Sequence, residues 1–280
     1  MPNLYPINRE ERDGKSQSEP TQAAAYDAVA EWYDERIRND DLVHGLTLPA
    51  VLDLIGAGTL RGIEVCDLAC GQGLITHILA DYGAHITGVD ISQELLARAR
   101  EAEAARPHGI TYLHDDISVG ATLPDAAFDG TLCHMALMDV ADLGGVAQTV
   151  ERILRPGGWF VFVVTHPCYQ TPNSTWQEPA DGGIVKRLVA GYFDIGFWRP
   201  ATQGSATSVR ERVGAYHRTL SMYLNAFAAV GLAFTRMQEP QITPKIAERL
   251  LANNPTEMRR LLASGGREIP IVLAARFEKR

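Results

Sequence analysis

The chain has 280 residues, 46% of them apolar, and a formal net charge of −8. That length and core content suit one large domain, or one domain with a sizeable insertion. The acidic balance with scattered Lys and Arg argues against a nucleic-acid surface, and no run approaches the roughly 18 apolar residues of a membrane span. The opening stretch MPNLYPINREERDGKSQSEP has no apolar core of a secretory signal, and residues 1–20 are expected to form a flexible tail. Cys66, Cys70, Cys133 and Cys168 show no zinc-ligand spacing. They read as reduced thiols of a cytoplasmic protein, and no metal site is expected.

From Thr21 the sequence turns helical, in TQAAAYDAVAEWYDERIRND and then LTLPAVLDLIGAG. Tyr26, Val29, Ala30 and Tyr33 recur at helical spacing beside Trp32. Two readings are compatible: a helix packing its aromatics on the core, or a lid over residues 21–60 whose tyrosines close over a ligand. Residues 62–73, GIEVCDLACGQG, organise the rest of the chain. Ile63 and Val65 give a strand ending at Asp67, the small residues Ala69, Gly71 and Gly73 make a turn, and LITHILADYG continues as a helix. Strand, glycine-rich turn and helix N-terminus together form a seat for a nucleotide-like ligand.

The next strand, AHITGVD, ends in Asp90, and a helix comes after it with Ser92 as its N-cap. An acidic residue about 20 positions beyond a glycine turn is placed to accept hydrogen bonds from ribose hydroxyls. ITYLHDDIS reads as a third strand running into Asp115, Asp116 and Ile117. Phe128–Cys133 reads as a fourth, with His134 and Met135 at its exit, where ligands gather in doubly wound sheets. A helix, the turn Leu154-Arg155-Pro156-Gly157-Gly158 and a strongly apolar fifth strand come next. Residues 166–214 then loosen into turn formers with Tyr169, Trp176, Tyr192, Phe193, Phe197 and Trp198, too many aromatics for a solvated loop. This segment is expected to be an insertion covering a substrate. AYHRTLSMYLNAFAAVG (215–231) reads as an amphipathic helix with Leu220, Tyr223, Leu224 and Phe227 as its stripe. LAFTRMQEP reads as a sixth strand, PKIAERLLANNPTEMRRLLASG as helical, and REIPIVLAARFEK as the last strand.

Which nucleotide the turn receives is decided by its composition. A dinucleotide fingerprint needs a third glycine where Thr76 stands, and a pyrophosphate would be repelled by Asp67. Asp67-x-Ala69-x-Gly71-x-Gly73 instead resembles motif I of the class I S-adenosylmethionine-dependent methyltransferases, with Ala69 in place of the first glycine, and the LRPGG turn resembles a second hallmark. The resemblance is to the small-molecule group of type 11. It implies a doubly wound, seven-stranded, mostly parallel sheet whose last strand runs antiparallel between the fifth and sixth, in a single domain over residues 21–280. It also implies S-adenosylmethionine as cofactor. Asp67, Ala69, Gly71, Gly73, Asp90, Ile91, Asp116, Ile117, His134, Tyr26 and Tyr33 are the expected cofactor-binding set.

Methyl transfer from a sulfonium is an in-line displacement that asks chiefly for alignment and exclusion of water. Where an acceptor needs deprotonation, a histidine is the commonest helper. His166, after the fifth strand, and His217, at the start of the late helix, are the expected catalytic residues, with Tyr216 as a donor to a substrate oxygen. The expected partner is a small-molecule acceptor, with no nucleic acid or membrane, and the protein a monomer or homodimer. Two other readings stay open: a catalytically idle cofactor-binding regulator or partner subunit, and an NAD(P)-dependent oxidoreductase.

Overall fold

The apolar runs become strands β1 (Glu64–Leu68), β2 (His85–Asp90), β3 (Thr111–His114), β4 (Phe128–His134) and β5 (Leu154–Thr165). Four three-residue strands come after them: β6 (Thr175–Gln177), β7 (Lys186–Leu188), β8 (Gly196–Trp198) and β9 (Ala215–His217). β10 (Leu232–Gln238) and β11 (Val272–Lys279) close the series. In this computed structural model the described residues are 22–38, 43–56, 58, 60–177, 186–200, 208–253 and 269–280. The expected tail, residues 178–185 and 201–207 of the insertion, and residues 254–268 of the late helical stretch lie outside them.

Seven strands form one sheet in the order β10-β11-β5-β4-β1-β2-β3. β1 pairs in parallel with both β2 and β4, so Asp67 lies beside Gly88 on one side and Leu132 on the other. β11 runs antiparallel between β5 and β10, as the resemblance implies. The order reverses at β1, where a doubly wound sheet leaves a crevice beyond its strand ends.

β5 shows why its sequence is apolar without alternation. Phe160, Phe162 and Val164 enter one core, and Trp159, Val161 and Val163 enter the other. On the first face Phe160, Phe162, Phe227 and Phe277 pack with ring centres 4.7–6.1 Å apart. The LRPGG segment is not a free turn but the bulged entry of β5, where the register with β4 shifts between Phe128 and Gly130. At Gly130 a Cβ would run into the Trp159 indole, so glycine there makes room for the largest side chain of the neighbouring strand.

Helices α1 (Gln22–Asp27), α2 (Ala30–Arg38) and α3 (Leu48–Ile55) precede the sheet. α4 (Leu74–Asp81), α5 (Gln93–Ala105) and α6 (Leu143–Ile153) connect its strands. α7 (Val209–Val213), α8 (Leu220–Ala229) and α9 (Pro244–Asn253) belong to the second half. Two local expectations change. The helix expected over 215–231 starts only at Leu220, N-capped by Thr219, because Gly214 (φ 75°) ends α7 and Ala215–His217 pair with Gly196–Trp198. The expected insertion, where described, holds the paired strands β6 and β7, then β8 and α7, and β8 pairs with β9 just beyond it. Among the described residues no helix is long and apolar enough to cross a membrane.

Candidate active site

Two adjoining cavities of about 410 and 260 Å³ lie beyond the ends of β1, β2 and β4, and share Tyr26, Tyr33, Ala69, Gly71, His134 and Met135 in their walls. Ala69 (φ 58°) and Met135 (φ 57°) both take left-handed backbone without being glycine. Strain of that kind, on the order of 1–3 kcal/mol each, persists where surrounding structure imposes it and concentrates at functional sites.

The larger cavity carries Asp90, Ile91, Asp116, Ile117 and Ser118. Asp90 is buried and already organised: its Oδ2 accepts from the Gly71 N–H (2.7 Å) and its Oδ1 from the Ser92 N–H (2.8 Å). This ties the glycine turn to the end of β2, and burial still pushes the carboxyl upward despite those donors. Asp116 Oδ1 accepts from the N–H (2.8 Å) and hydroxyl (2.7 Å) of Ser118, which fixes the loop leaving β3.

The smaller cavity carries Asp67, Gln72, Arg36 and Thr47. Asp67 is 1% exposed and accepts from the Thr76 hydroxyl at 2.6 Å. Burial lifts its pKa to about 7; the Thr76 hydrogen bond works against that rise and Asp90 adds to it. Thr76, standing where a dinucleotide site has its third glycine, therefore serves Asp67. His134 lies between the cavities with Nε2 at 2.8 Å from Thr47 Oγ1, and burial lowers its pKa to about 4. It is a neutral imidazole at physiological pH.

The roof comes from both ends of the chain. Asp27 accepts from the Ser92 hydroxyl (2.5 Å), docking α1 on the start of α5. The Tyr26 and Tyr33 rings meet edge to face with centres 5.4 Å apart. The Tyr26 hydroxyl donates to Asp139 Oδ2 (3.0 Å), and Arg210 of α7 donates to the other oxygen of the same carboxylate. Burial opposes the charge of Arg210, but Asp139, Tyr26 and Tyr33 together outweigh it and raise its pKa. Arg218, also buried, donates to the carbonyls of Leu137 (3.0 Å), Val140 (2.5 Å) and Ala141 (2.7 Å), shaping the wall that leads on from β4.

Comparison with known proteins agrees with this geometry. A methyltransferase domain model matches residues 66–162. A ubiquinone biosynthesis O-methyltransferase of Sodalis glossinidius (strain morsitans) is 30% identical over 186 residues, covering 65% of this chain and 74% of that protein. The chain belongs to the class I S-adenosylmethionine-dependent methyltransferases. A relative with the same description from Paracidovorax citrulli (strain AAC00-1) is 34% identical over 109 residues, but these cover only 38% of this methyltransferase and 45% of the relative. Among solved structures, an S-adenosylmethionine-dependent methyltransferase from Mesorhizobium loti superposes with a TM-score of 0.65 at 27% identity. That match covers 87% of this chain and all of the other.

The structure gathers ten of the eleven residues of the expected cofactor set in the cavity walls. Gly73 is the exception: with φ 81° it starts α4, and a Cβ on it would collide with the Tyr112 hydroxyl, so it shapes the turn without lining the cavity. The two expected catalytic histidines are not in these walls. Thr165 faces the smaller cavity, whereas His166, the next residue, is buried with Nε2 at 2.7 Å from Glu239 and Nδ1 accepting from the Cys168 N–H. Tyr216 faces the larger cavity, whereas His217 donates from Nε2 to the Tyr192 carbonyl (2.9 Å) and borders a third space of about 60 Å³, which shares Tyr216 with the larger cavity and Thr165 and Arg210 with the smaller. In both cases the alternation of an extended chain turns the neighbour, not the histidine, toward the cavity. Arg36, Thr47, Asp139 and Arg210 escape sequence reasoning. Arg36 alone had a signal, lying three positions after Tyr33 on the same helix.

The cavity fits S-adenosylmethionine by its donor set. Among the described residues Asp67 has no cationic partner, and the Gln72 side-chain nitrogen is buried without a hydrogen bond. Arg36 lines the same cavity. A carboxylate, an amide and a guanidinium suit an amino acid's ammonium and carboxylate, and Asp90 beyond the glycine turn suits a ribose.

Proposed function

We propose that this methyltransferase transfers the sulfonium methyl group to a small-molecule acceptor, with an oxygen as the receiving atom. Asp67, Gln72 and Arg36 would hold the amino acid end of the cofactor, Gly71 and Ala69 its middle, Asp90 and Ile91 the ribose, and Asp116 with Ile117 the base. Tyr26, Tyr33 and His134 would close over it. The observation that carries this reading is the buried, cation-free Asp67 joined through the glycine turn to Asp90, a pair suited to a cationic nucleoside and unsuited to two phosphates. The choice of oxygen is supported by relatives described as O-methyltransferases.

S-adenosylmethionine supplies an activated methyl group, so the chain's task is to align an acceptor and keep water out. The roof built from Tyr26, Tyr33, Asp139 and Arg210 does the second. Tyr216, in the wall of the larger cavity with the Arg218 guanidinium 5.4 Å from its ring, would donate to an acceptor oxygen. His217 would act behind it as a positioning residue. The net charge of −8 supports a free small molecule over nucleic acid as partner. A cytoplasmic monomer or homodimer belongs to the same reading.

The test is transfer of label from methyl-labelled S-adenosylmethionine to a panel of small phenols, carboxylic acids, amines and thiols. Saturable labelling of a hydroxyl compound is the expected result. Labelling confined to amines or thiols would overturn the oxygen assignment. Tight binding of S-adenosylhomocysteine with no transfer to any member would favour an idle cofactor binder instead.

A further inference from the structure

We propose that His77, Glu103 and His108 bind one divalent transition-metal ion of the zinc type. None of the three lines the cavities described above. They come from α4, α5 and the loop after α5, so no local spacing in the sequence announces them. Their ligand atoms all lie within 4.8 Å of one another. Their side chains are only 13%, 16% and 15% exposed, respectively.

The spacing of the two rings suits a shared ion. The two Nδ1 atoms are 3.3 Å apart, and the ring centres are 5.1 Å apart with planes at 77°. A tetrahedral ion with bonds of about 2.05 Å sets two ligand nitrogens about 3.35 Å apart, and the centres of their imidazole rings about 5.2 Å apart. A straight N–H···N contact of the observed length would put the centres about 5.6 Å apart. The observed spacing of the two rings matches that of two imidazoles sharing one ion. Glu103 Oε2 lies 3.8 and 3.9 Å from the same two nitrogens and reaches ligand distance with a contraction of about 0.5 Å.

The surroundings prepare these atoms as ligands. Glu103 Oε1 accepts from the N–H groups of His108 (2.7 Å), Gly109 (2.8 Å) and Ile110 (3.2 Å), which leaves the buried Oε2 without a hydrogen bond and turned toward the histidines. Asp81 Oδ1 lies 3.0 Å from His108 Nε2, the carboxylate–imidazole pairing that orients metal-bound histidines. With its Nε2 proton held by Asp81, the Nδ1 of His108 faces three electron-rich atoms: His77 Nδ1, Glu103 Oε2 and, at 2.8 Å, the Arg106 carbonyl. One proton serves one of these, whereas a cation among them serves all, with the carbonyl or a water completing its shell. Two imidazoles and one carboxylate favour zinc, cobalt or nickel over magnesium or calcium. The His77 N–H donates to the Gly73 carbonyl (3.0 Å), so an ion here would brace α4 one turn from the cofactor loop.

The experiment uses the full, tag-free chain after treatment with a chelator. It is titrated with zinc chloride in a calorimeter and with cobalt chloride while visible absorption is monitored. One equivalent of zinc, ligand-field bands with cobalt and a raised melting temperature are expected. The double substitution His77→Ala with His108→Ala should abolish binding, and Glu103→Gln and Asp81→Asn should each weaken it about 10–100-fold. S-adenosylhomocysteine binding by each variant reports that it is folded. Failure of the wild-type chain to bind stoichiometric zinc would overturn the proposal, as would undiminished binding in a folded double variant.

Discussion

Residues 62–135 and residues 186–217 reach the same cavity by different means. The first region contributes Asp67, Ala69, Gly71, Asp90, Asp116 and His134 from consecutive strand ends, each placed by the pairing of its own strand in the sheet. The second contributes Arg210 and Tyr216, and the described part of it is held by a few polar contacts: Arg210 on Asp139, the adjoining Arg218 on three carbonyls, and His217 on Tyr192 within the region itself. A sheet edge fixes what all members of the family share. A segment pinned at a few points is free to change its side chains, so acceptor choice is expected to reside there.

The comparison is broken most forcefully at Asp139, where Tyr26 of α1 and Arg210 of α7 meet. Asp139→Ala leaves Arg210, whose side chain is 19% exposed, without its counter-ion, and the expected loss is about 3 kcal/mol in urea unfolding, the low end for a buried pair. A loss below about 1 kcal/mol would mean the roof is not anchored there. Next in size, Asp90→Ala removes the acceptor of two backbone N–H groups and the proposed acceptor of the ribose. S-adenosylhomocysteine affinity, read by calorimetry, should fall at least about 100-fold, in keeping with about 1.5–3 kcal/mol for each bond to a charged group.

Asp67 gives a pH test of the strand-end region. Its carboxyl titrates at about 7 in the fold and near 3.9 in an unfolded chain. Between these values the folded chain holds a proton that the unfolded chain lacks, so this group's contribution to stability falls as pH rises through the window. Binding an ammonium reverses the balance. S-adenosylhomocysteine affinity should climb by up to about tenfold per pH unit toward pH 7 and then level off. Asp67→Asn should flatten that slope to whatever Asp90 contributes, and an unchanged slope would remove Asp67 from the cofactor site.

The smaller effects sharpen the distinction. Tyr26→Phe loses one hydrogen bond to a carboxylate, about 1.5 kcal/mol of stability. His217→Ala should leave S-adenosylhomocysteine affinity unchanged while lowering turnover. His166→Ala should lower the melting temperature without moving the pH profile of turnover, because its ring is tied to Glu239 and not to the cavity. A shifted pH profile in His166→Ala would return that residue to the chemistry.

Legibility in the sequence divides along the same line. Asp67, Gly71, Asp90 and Asp116 are readable because each ends an apolar strand or sits in its turn, and strand ends in a doubly wound sheet face the ligand. Thr76 shows in the sequence only as a missing glycine, although its hydroxyl is the partner of Asp67. Asp139 and Arg210 are invisible there, since their contact joins positions 71 residues apart through folding alone. His166 and His217 miss the cavity by a single residue each: the segments are legible, but the pleat that turns Thr165 and Tyr216 inward depends on pairings no local pattern reveals. The third strand, expected to run into Asp115 and Asp116, ends at His114, because Asp115 and Asp116 turn back to bind Thr122 and Ser118.

The central claim is that the turn between Asp67 and Asp90 receives a cationic nucleoside and not a dinucleotide. Parallel calorimetric titrations of the wild-type chain with S-adenosylhomocysteine and with NADH test it most directly. One equivalent of the thioether bound, and no heat from NADH, is the expected result. Binding of NADH without binding of the thioether would contradict the account.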